Sequence, residues 1–343
     1  MEGVDKQGNL TWCSPSNIAL VKYWGKYGRQ LPSNPSISLT LSQAYSETSV
    51  DYKLTDKPRW SFTFEGKVKP DFEKKIVNYL SNITDVFPLV ERLDLKIDSS
   101  NTFPHSSGIA SSASSMSALA MCLVDIARSV DKQDSFDLKL ASELARLGSG
   151  SASRSIYGPV VIWGENSAVK GASNKYAIPY TEVADIFSSY HDDILIISAA
   201  EKSVSSRAGH SLMENNPYAL NRYEQAHHHL GEIVSAMRAG DLEKFGHIVE
   251  KEALTLHALM MASEPPYMLM EPHTLAAINS IQSFRKEKNI PVYFTLDAGP
   301  NLHLLYPDKY GPEIKSLKNE LTTFCDEGKI IEDYVGTGPL KKQ

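Results

Sequence analysis

The segment Pro104–Ser115 combines small and hydroxyl-bearing residues immediately before an apolar helical pattern. A helix N-terminus presents unpaired N–H groups and a partial positive charge, and both suit a phosphate group. Gly108 would let the backbone approach such a ligand closely. Hydroxyl donors would come from Ser107, Ser111 and Ser112. The Walker pattern is absent, and the composition fits equally well an N-cap followed by a closely packed helix of small residues.

A second hydroxyl-rich segment, Gly148–Gly158, contains the guanidinium of Arg154. Arginine forms paired hydrogen bonds with carboxylates and phosphates, so this segment could bind an anion. A helix C-cap loop with a surface arginine explains the same pattern, and in isolation it is slightly the better explanation. The segment Ser203–Gly209 has a similar composition, but there a solvated surface segment is clearly the better explanation in isolation.

Two lysines follow a short apolar run, Ile18–Val21. Lys22, Tyr23 and Lys26 come after that run, and Asn17 precedes it. Two cations and a phenol could hold an anion, whereas lysines at a strand end are more often simply solvated. By itself this segment favours the solvated arrangement.

Asp297 follows the apolar strand pattern Val292–Leu296 and opens the turn-like sequence Asp-Ala-Gly-Pro-Asn. A carboxylate at a strand end is a common position for a general base. Aspartate is also a common turn former, and in isolation the turn is the better interpretation.

The histidines do not show metal-ligand spacing. His227–His229 are adjacent within a helical pattern, so their side chains point in different directions, and we interpret them as surface-exposed. His210, His247 and His257 lack a ligand partner at a useful spacing.

Strand and helix patterns interleave along the whole chain, which indicates an α/β or α+β protein. A helical face recurs at Leu119, Leu123, Ile126 and Val130. Further helices are predicted over Asp71–Ile83, Leu138–Leu147, Ala219–Ala239, Leu242–Met261, Pro272–Lys288 and Gly311–Cys325. Strands are predicted over Ile18–Val21, Ser36–Leu41, Ser46–Leu54, Trp60–Phe64, Leu93–Ile97, Val160–Trp163, Ile194–Ser198, Val292–Leu296 and Leu302–Tyr306. The polar stretch Thr181–Asp192 suggests a boundary between domains 1–185 and 186–343.

Composition narrows the class of protein. The 343 residues are long enough for one large unit or two domains sharing a cleft. A net charge of -6 argues against nucleic-acid binding, but a few focused cations could still hold a small anion. Three widely spaced cysteines indicate neither a disulfide framework nor a zinc site, so we expect a cytoplasmic location. Neither a signal peptide nor a membrane-spanning apolar run is predicted.

These segments together resemble one family, in order along the chain. Ser16–Lys26 resembles the N-terminal signature of diphosphomevalonate decarboxylases, and Leu31–Leu41 resembles the segment that follows it. Asn101–Ala113 is similar to the ATP-phosphate motif of the GHMP kinase superfamily. Similar blocks recur at Gly148–Gly158, Val204–Gly209 and Tyr293–Asn301. The phosphate motif is typical of the superfamily, whereas Lys-Tyr-Trp-Gly-Lys and Asp-Ala-Gly-Pro-Asn are typical of the decarboxylase branch.

The resemblance implies an α+β GHMP kinase fold. Domain 1–185 would resemble domain 2 of ribosomal protein S5, domain 186–343 would be ferredoxin-like, and the active site would lie between them. The implied reaction converts ATP and (R)-5-diphosphomevalonate to isopentenyl diphosphate, ADP, phosphate and carbon dioxide, with Mg²⁺ as cofactor. A homodimer is the implied assembly.

The resemblance also implies roles for individual residues. Asp297 would orient or deprotonate the C3 hydroxyl beside Lys22, Arg154 would bind the substrate carboxylate, and Asn17 would position the substrate or a phosphate. The diphosphate would be bound by Tyr23, Lys26, Ser149, Ser151, Ser206 and Arg207. The ATP phosphates would be bound by Ser107, Gly108, Ser111 and Ser112, with Ser112 also near the magnesium ion.

Two other classes of function remain open. A phosphomevalonate decarboxylase or a mevalonate-type kinase of the same superfamily would share the ATP loop. A pure kinase would not need Lys22, Asp297 and Arg154 together, and a non-catalytic binding protein would tolerate the loss of Lys22 or Asp297. The presence of all three residues favours the decarboxylase.

Overall fold

The computed structural model describes residues 7–103, 111–132, 135–200, 204 and 206–342 of the chain. The strands are β1 (Gln7–Val21), β2 (Lys26–Tyr27), β3 (Leu31–Pro32), β4 (Ser36–Leu54), β5 (Trp60–Phe64), β6 (Lys67–Val68), β7 (Leu93–Asn101), β8 (Val160–Trp163), β9 (Ile178–Pro179), β10 (Tyr190–Leu195), β11 (Tyr293–Thr295), β12 (Leu302–Pro307), β13 (Ile330–Ile331) and β14 (Leu340–Lys342). The helices are α1 (Pro70–Ser81), α2 (Ser111–Asp131), α3 (Leu138–Gly148), α4 (Ser206–Ser211), α5 (Ala219–Ala239), α6 (Leu242–Met261), α7 (Pro272–Lys288) and α8 (Gly311–Thr322). The class is mixed α+β, and the bounds predicted for α5, α6 and α7 are confirmed.

The larger sheet is built mainly from the first half of the chain. Its strand order is β14-β1-β4-β7-β5-β6, and β8 and β9 extend it beside the first part of β4. β5 runs parallel to β7, and the other described pairs are antiparallel. α2 and α3 pack on this sheet, burying Leu119, Leu123 and Leu144 against Val50 and Leu95. α2 is long and apolar enough to cross a membrane by length and composition, but most of it is buried in this core.

The strands predicted at Ser36–Leu41 and Ser46–Leu54 are one strand, β4, and the prediction of two was wrong. The register against β1 shifts between Pro15 and Asn17, so β4 carries extra residues at 42–44. The backbone N–H groups of these three residues lack strand partners. They donate instead to the carboxylate of Asp333, at 2.7–2.8 Å. The polar sequence at this bulge looks like a loop, but a distant carboxylate satisfies its backbone.

The smaller sheet belongs to the second half of the chain and has the order β11-β12-β10-β13. β10 begins at Tyr190, four residues before the predicted start at Ile194, and ends at Leu195. The prediction began the strand after Asp192 and Asp193, because acidic residues are uncommon in buried strands. Both are buried, with Asp192 hydrogen-bonded to His303 and Asp193 to the hydroxyl of Tyr306.

The two halves share a hydrophobic core, and one strand from the end of the chain joins the larger sheet. Ile18 and Leu20 of β1 lie in one buried cluster with Leu230 of α5 and Val249 of α6. Near the end of the chain, β14 returns to pair with β1. The end of β1, within the larger sheet, therefore packs against α5 and α6 of the second half, where the site forms.

Candidate active site

Lys22 and Asp297 form a buried ion pair where the two halves meet. Lys22 follows β1 directly, and Asp297 lies in the loop between β11 and β12. Lys22 Nζ lies 2.9 Å from Asp297 Oδ1, and the two side chains are 2% and 29% exposed. Burial lowers the pKa of Lys22 below its usual value, and the charge of Asp297 partly opposes that shift. The partly exposed carboxylate is therefore accessible to a ligand, and a buried cation supports it.

Arg154 is a second buried cation, placed by the 3₁₀ turn Gly150–Ile156 that follows α3. Its Nη1 donates to Ser36 Oγ at 2.8 Å, and its Nε donates to Asn17 Oδ1 at 3.2 Å. Burial lowers the pKa of Arg154 to about 10, so the guanidinium stays charged at neutral pH. Among the described residues no carboxylate forms an ion pair with it. A buried guanidinium with only neutral partners suits an anionic ligand.

Asn17 connects β1 to that same turn. Its amide Nδ2 donates to Ser155 Oγ at 2.8 Å and to the carbonyl of Ser151 at 3.3 Å. The register shift in β1 lies immediately before Asn17, which allows its side chain to face the turn. Asn17, Arg154 and Ser151 therefore form one polar cluster at the edge of the site.

The ring of Tyr23 packs between two aromatic side chains, with centroids 4.7 Å from Trp163 and 4.4 Å from His210. Its hydroxyl is buried and has no hydrogen-bond partner among the described residues. A Cβ at Gly150 would lie 2.6 Å from that hydroxyl, so glycine is required there. An orphaned buried hydroxyl beside Arg154 suits a ligand oxygen.

Lys26 begins β2 and lies at the rim of the site. Its Nζ donates to Gln30 Oε1 at 2.9 Å. Lys26 also lines two open depressions of about 540 and 640 Å³, one shared with His210 and Tyr223 and the other with Arg29. It is therefore more exposed than Lys22 and Arg154, as expected for a cation at the entrance of a pocket.

The N-terminus of α2 lies beside the start of the hydroxyl-rich segment Gly148–Gly158. Ser111 and Ser112 begin this helix, and Ser112 Oγ lies 3.3 Å from Ser149 Oγ at the end of α3. Ser107 and Gly108 lie outside the described residues, so their placement is not part of this geometry. A 21-residue helix pointing its N-terminus and two hydroxyls at this point suits phosphate oxygens.

A magnesium ion at this point would depend on few protein ligands. Among the described residues no group of three His, Cys, Asp or Glu side chains is placed to hold a metal ion. Magnesium commonly keeps several waters and binds through substrate phosphates, with one or two protein oxygens. The hydroxyl of Ser112 beside the helix N-terminus fits that mode of binding.

α4 lies against the loop that carries Tyr23. His210 Nδ1 accepts the N–H of Gly25 at 3.0 Å, and a Cβ at Gly209 would lie 2.6 Å from the ring of Trp24. Burial lowers the pKa of His210 to about 3, so it is neutral at physiological pH. The side chains of Ser206 and Arg207, on the first turn of α4, lie outside the described residues.

The structure corrects the interpretation of His229 and adds residues that the sequence analysis missed. His227 and His228 are exposed, but His229 is buried and contacts the carboxylate of Glu252. Helical periodicity contained the signal, since His229 falls on the same face as Ala226 and Ile233. Glu252 also accepts the backbone N–H of Lys22, a contact for which the local sequence carries no signal.

The mixed α+β fold and its site define an ATP-dependent small-molecule enzyme of the GHMP kinase superfamily. Residues 14–176 match the family model described as diphosphomevalonate decarboxylase-like N-terminal domain. Residues 193–339 match the mevalonate 5-diphosphate decarboxylase C-terminal domain. The chain belongs to the diphosphomevalonate decarboxylase family.

Individual members of this family are similar to the chain over most of its length. The diphosphomevalonate decarboxylase of Homo sapiens is 30% identical, over 85% of this chain and 75% of its own length. That of Schizosaccharomyces pombe is also 30% identical, over 85% of this chain and 77% of its own length. The crystal structure of mevalonate diphosphate decarboxylase from Staphylococcus aureus is 31% identical, with a TM-score of 0.84 over 98% of both chains. A structure described as MDDEF in complex with MVAPP, AMPPCP and magnesium is 28% identical, with a TM-score of 0.83 over 98% of this chain and 99% of its own.

Proposed function

We propose that the chain decarboxylates (R)-5-diphosphomevalonate with ATP and Mg²⁺, forming isopentenyl diphosphate, ADP, phosphate and carbon dioxide in the mevalonate pathway of isoprenoid biosynthesis. The observation that carries the proposal is the Lys22–Asp297 ion pair near a buried guanidinium, Arg154, that lacks an acidic partner among the described residues. A carboxylate able to accept a proton and a cation able to bind a carboxylate are both required by this reaction. The structural relative bound to MVAPP, an ATP analogue and magnesium supports the same substrates.

Asp297 accepts the proton of the C3 hydroxyl as that oxygen attacks the γ-phosphorus of ATP. The bond from that phosphorus to the bridging oxygen breaks, and ADP leaves. Lys22 holds the carboxylate in place and offsets negative charge on the transferring phosphoryl group. The C3–O bond then breaks and phosphate leaves with the bonding electrons. The bond between the carboxylate carbon and the methylene carbon next to C3 also breaks. Its electron pair forms the new double bond to C3, and carbon dioxide leaves.

Arg154 binds the substrate carboxylate in this arrangement, and Asn17 fixes the orientation of the guanidinium through its Oδ1. A bidentate contact would hold the carboxylate in the plane that its C–C bond needs for cleavage. Because the guanidinium is buried, water competes weakly for it, and the interaction is strong.

The remaining phosphate groups are assigned to two polar surfaces. ATP-phosphate binding is assigned to Ser107, Gly108, Ser111 and Ser112. Of these, Ser111 and Ser112 begin α2, and the hydroxyl of Ser112 would be a ligand to magnesium. When bound there, the ion neutralises phosphate charge. The substrate diphosphate is bound by Tyr23, Lys26, Ser149, Ser151, Ser206 and Arg207.

To test the activity, the protein is incubated with ATP, magnesium and one of three substrates: mevalonate, 5-phosphomevalonate or 5-diphosphomevalonate. Carbon dioxide and phosphate release are followed separately. We expect both products only with the diphosphate. Carbon dioxide from the monophosphate would make the protein a phosphomevalonate decarboxylase, and ADP without carbon dioxide would make it a kinase.

Domain organisation, assembly and location complete the proposal. We propose domains at 1–185 and 186–343, with β14 crossing back to the first, and a homodimer in the cytoplasm. The segregation of the two sheets supports the boundary, and three free cysteines fit a reducing compartment. Sedimentation velocity measures the assembly state, and a monomer would contradict the dimer.

A further inference from the structure

The backbone of Lys22 is held by three side chains, two of which come from the second half of the chain. Pairing between β1 and β4 ends at Val21, so Lys22 lies beyond the ladder. Its N–H donates to Glu252 Oε2 at 2.8 Å, and its carbonyl accepts from Arg222 Nη2 at 3.0 Å. Asn34 Nδ2 donates to the same carbonyl at 2.9 Å. Within β1, the neighbouring strand β4 satisfies the backbone hydrogen-bonding groups. At Lys22, side chains of α5 and α6 do so instead.

Glu252 is itself fixed from two sides. Both terminal nitrogens of Arg222 donate to its carboxylate, at 2.7 and 2.6 Å, and His229 Nδ1 contacts Oε1. All three side chains are buried. Burial opposes ionisation of Glu252, but Arg222 and His229 outweigh it and hold the pKa of the carboxyl at about 2. Because an ionised carboxylate only accepts, His229 Nδ1 must carry a proton.

The same helix also reaches the other member of the ion pair. His257 is buried on α6, and its Nε2 lies 3.1 Å from the backbone carbonyl of Asp297. Since a carbonyl oxygen only accepts, Nε2 donates this hydrogen bond. Glu252 and His257 are five residues apart, about 7.5 Å along the helix axis.

We infer that α6 sets the separation of Lys22 and Asp297, with Glu252 and His257 as positioning residues and His229 holding Glu252 in place. Lys22 and Asp297 come from different halves of the chain, so no local element fixes their distance. A displacement of about 1 Å at a reacting group can lower a rate by about 100-fold. This inference rests on the proposed function, because it concerns the machinery of that reaction.

The experiment compares variants that remove each hydrogen bond with variants that retain it. His229→Leu removes the Nδ1 donor, and His229→Asn replaces it with an amide in a similar position. His257→Leu and His257→Gln form the matching pair for the Nε2 donor. The exposed neighbour His228→Leu on α5 is the control for substitution itself. Each protein is assayed for kcat and for KM toward ATP and diphosphomevalonate, with its folded fraction measured by circular dichroism.

We expect each leucine variant to lower kcat by about 10- to 100-fold while both KM values change little, because substrate contacts are retained. The amide variants should recover most of the lost rate, and His228→Leu should match the wild type. The inference is overturned if the leucine variants keep wild-type kcat per folded molecule, or if the amides are no better than leucine. If His229→Leu does not fold, the His257 pair decides the question by the same comparison.

The wild-type protein separates this inference from the proposed function. If the wild type releases no carbon dioxide from diphosphomevalonate, the proposed function is wrong. If the wild type is active and the variants show the pattern described, both stand. If the wild type is active and the leucine variants are equally active, only the role of α6 is wrong.

Discussion

Lys22 Nζ and Asp297 Oδ1 are 2.9 Å apart, although the residues are separated by 275 positions in the chain. The lysine is almost completely buried, and the aspartate keeps one side open to the site. This asymmetry directs the carboxylate toward a ligand and leaves the ammonium as its support. The charge of each side chain can therefore be removed while its approximate shape is kept.

Asp297→Asn should retain the shape of the side chain while removing its basicity and charge. We expect kcat to fall by about 100- to 10,000-fold, the range for a positioned acid–base group. ATP and diphosphomevalonate should still bind with similar affinity, because their main contacts are phosphate contacts. Turnover and melting temperature should be measured on one preparation, with the exposed Asp308→Asn as the control. A destabilised variant with normal turnover per folded molecule would reduce Asp297 to a turn former.

Lys22→Met should give a loss of kcat similar to that of Asp297→Asn, since the two residues act as a unit. The double variant should lose much less than the product of the two single losses. Rates of the four proteins measured under identical conditions complete the double-mutant cycle. Fully multiplicative losses would show that the ion pair has no joint role in the reaction.

Arg154→Lys should retain a positive charge but lose the planar donors that contact Asn17 and Ser36. We expect kcat/KM for diphosphomevalonate to fall by about 10- to 100-fold, as for loss of a hydrogen bond to a charged group. The KM for ATP should change little. The exposed Arg238→Lys provides the matched control. A larger effect on ATP than on diphosphomevalonate would move Arg154 out of the substrate pocket.

Ser112→Ala should lower kcat by about 100-fold, because it removes a hydroxyl that positions phosphate and magnesium. Alanine suits the start of a helix made of small residues, so the melting temperature should be retained. Ser115→Ala on the same turn is the control, since that hydroxyl bonds to the carbonyl of Ser111. Initial rates across magnesium concentrations provide the measurement, and unchanged turnover would exclude this role for Ser112.

Acid should destabilise the protein partly through His210. Burial lowers its pKa from 6.5 to about 3 in the folded state, so the unfolded chain binds a proton that the folded chain does not. Stability from this residue is therefore complete above about pH 6.5 and decreases as the pH falls toward about 3. The slope is about 1.4 kcal/mol per pH unit for one proton.

His210→Asn keeps an acceptor for the N–H of Gly25 but does not titrate. Urea unfolding of wild type and variant at pH 7, 6 and 5 should give a shallower pH dependence for the variant. The exposed His228→Asn should retain the wild-type slope. Parallel curves for all three proteins would mean that His210 binds its proton in the folded state.

Local patterns in the sequence were sufficient for much of the secondary structure and for the family. The bounds of α5, α6 and α7 follow from apolar residues recurring at helical spacing, which depends only on neighbours three and four positions away. The Ser/Gly-rich segments and the Lys-Tyr-Trp-Gly-Lys motif are likewise contiguous, so their resemblance to known decarboxylases could be recognised without a structure.

Predictions were wrong where a distant group satisfies the local chain. The bulge in β4 looked like a break between two strands, because the carboxylate that binds its N–H groups belongs to Asp333. The start of β10 was missed because His303 and Tyr306 provide the partners of its buried aspartates. Secondary-structure propensity depends on neighbouring residues in the sequence, so it carries no information about such distant partners.

The sequence alone therefore determined which residue types were available for chemistry, while the tertiary structure decided which of them meet. Lys22 and Asp297 come together only because β1 and β11 both pack against α6. Glu252 and His257 become visible as their supports only in that packing. The physical reason is that spacing along a helix or strand specifies a face, whereas contacts between elements depend on how several faces are buried together.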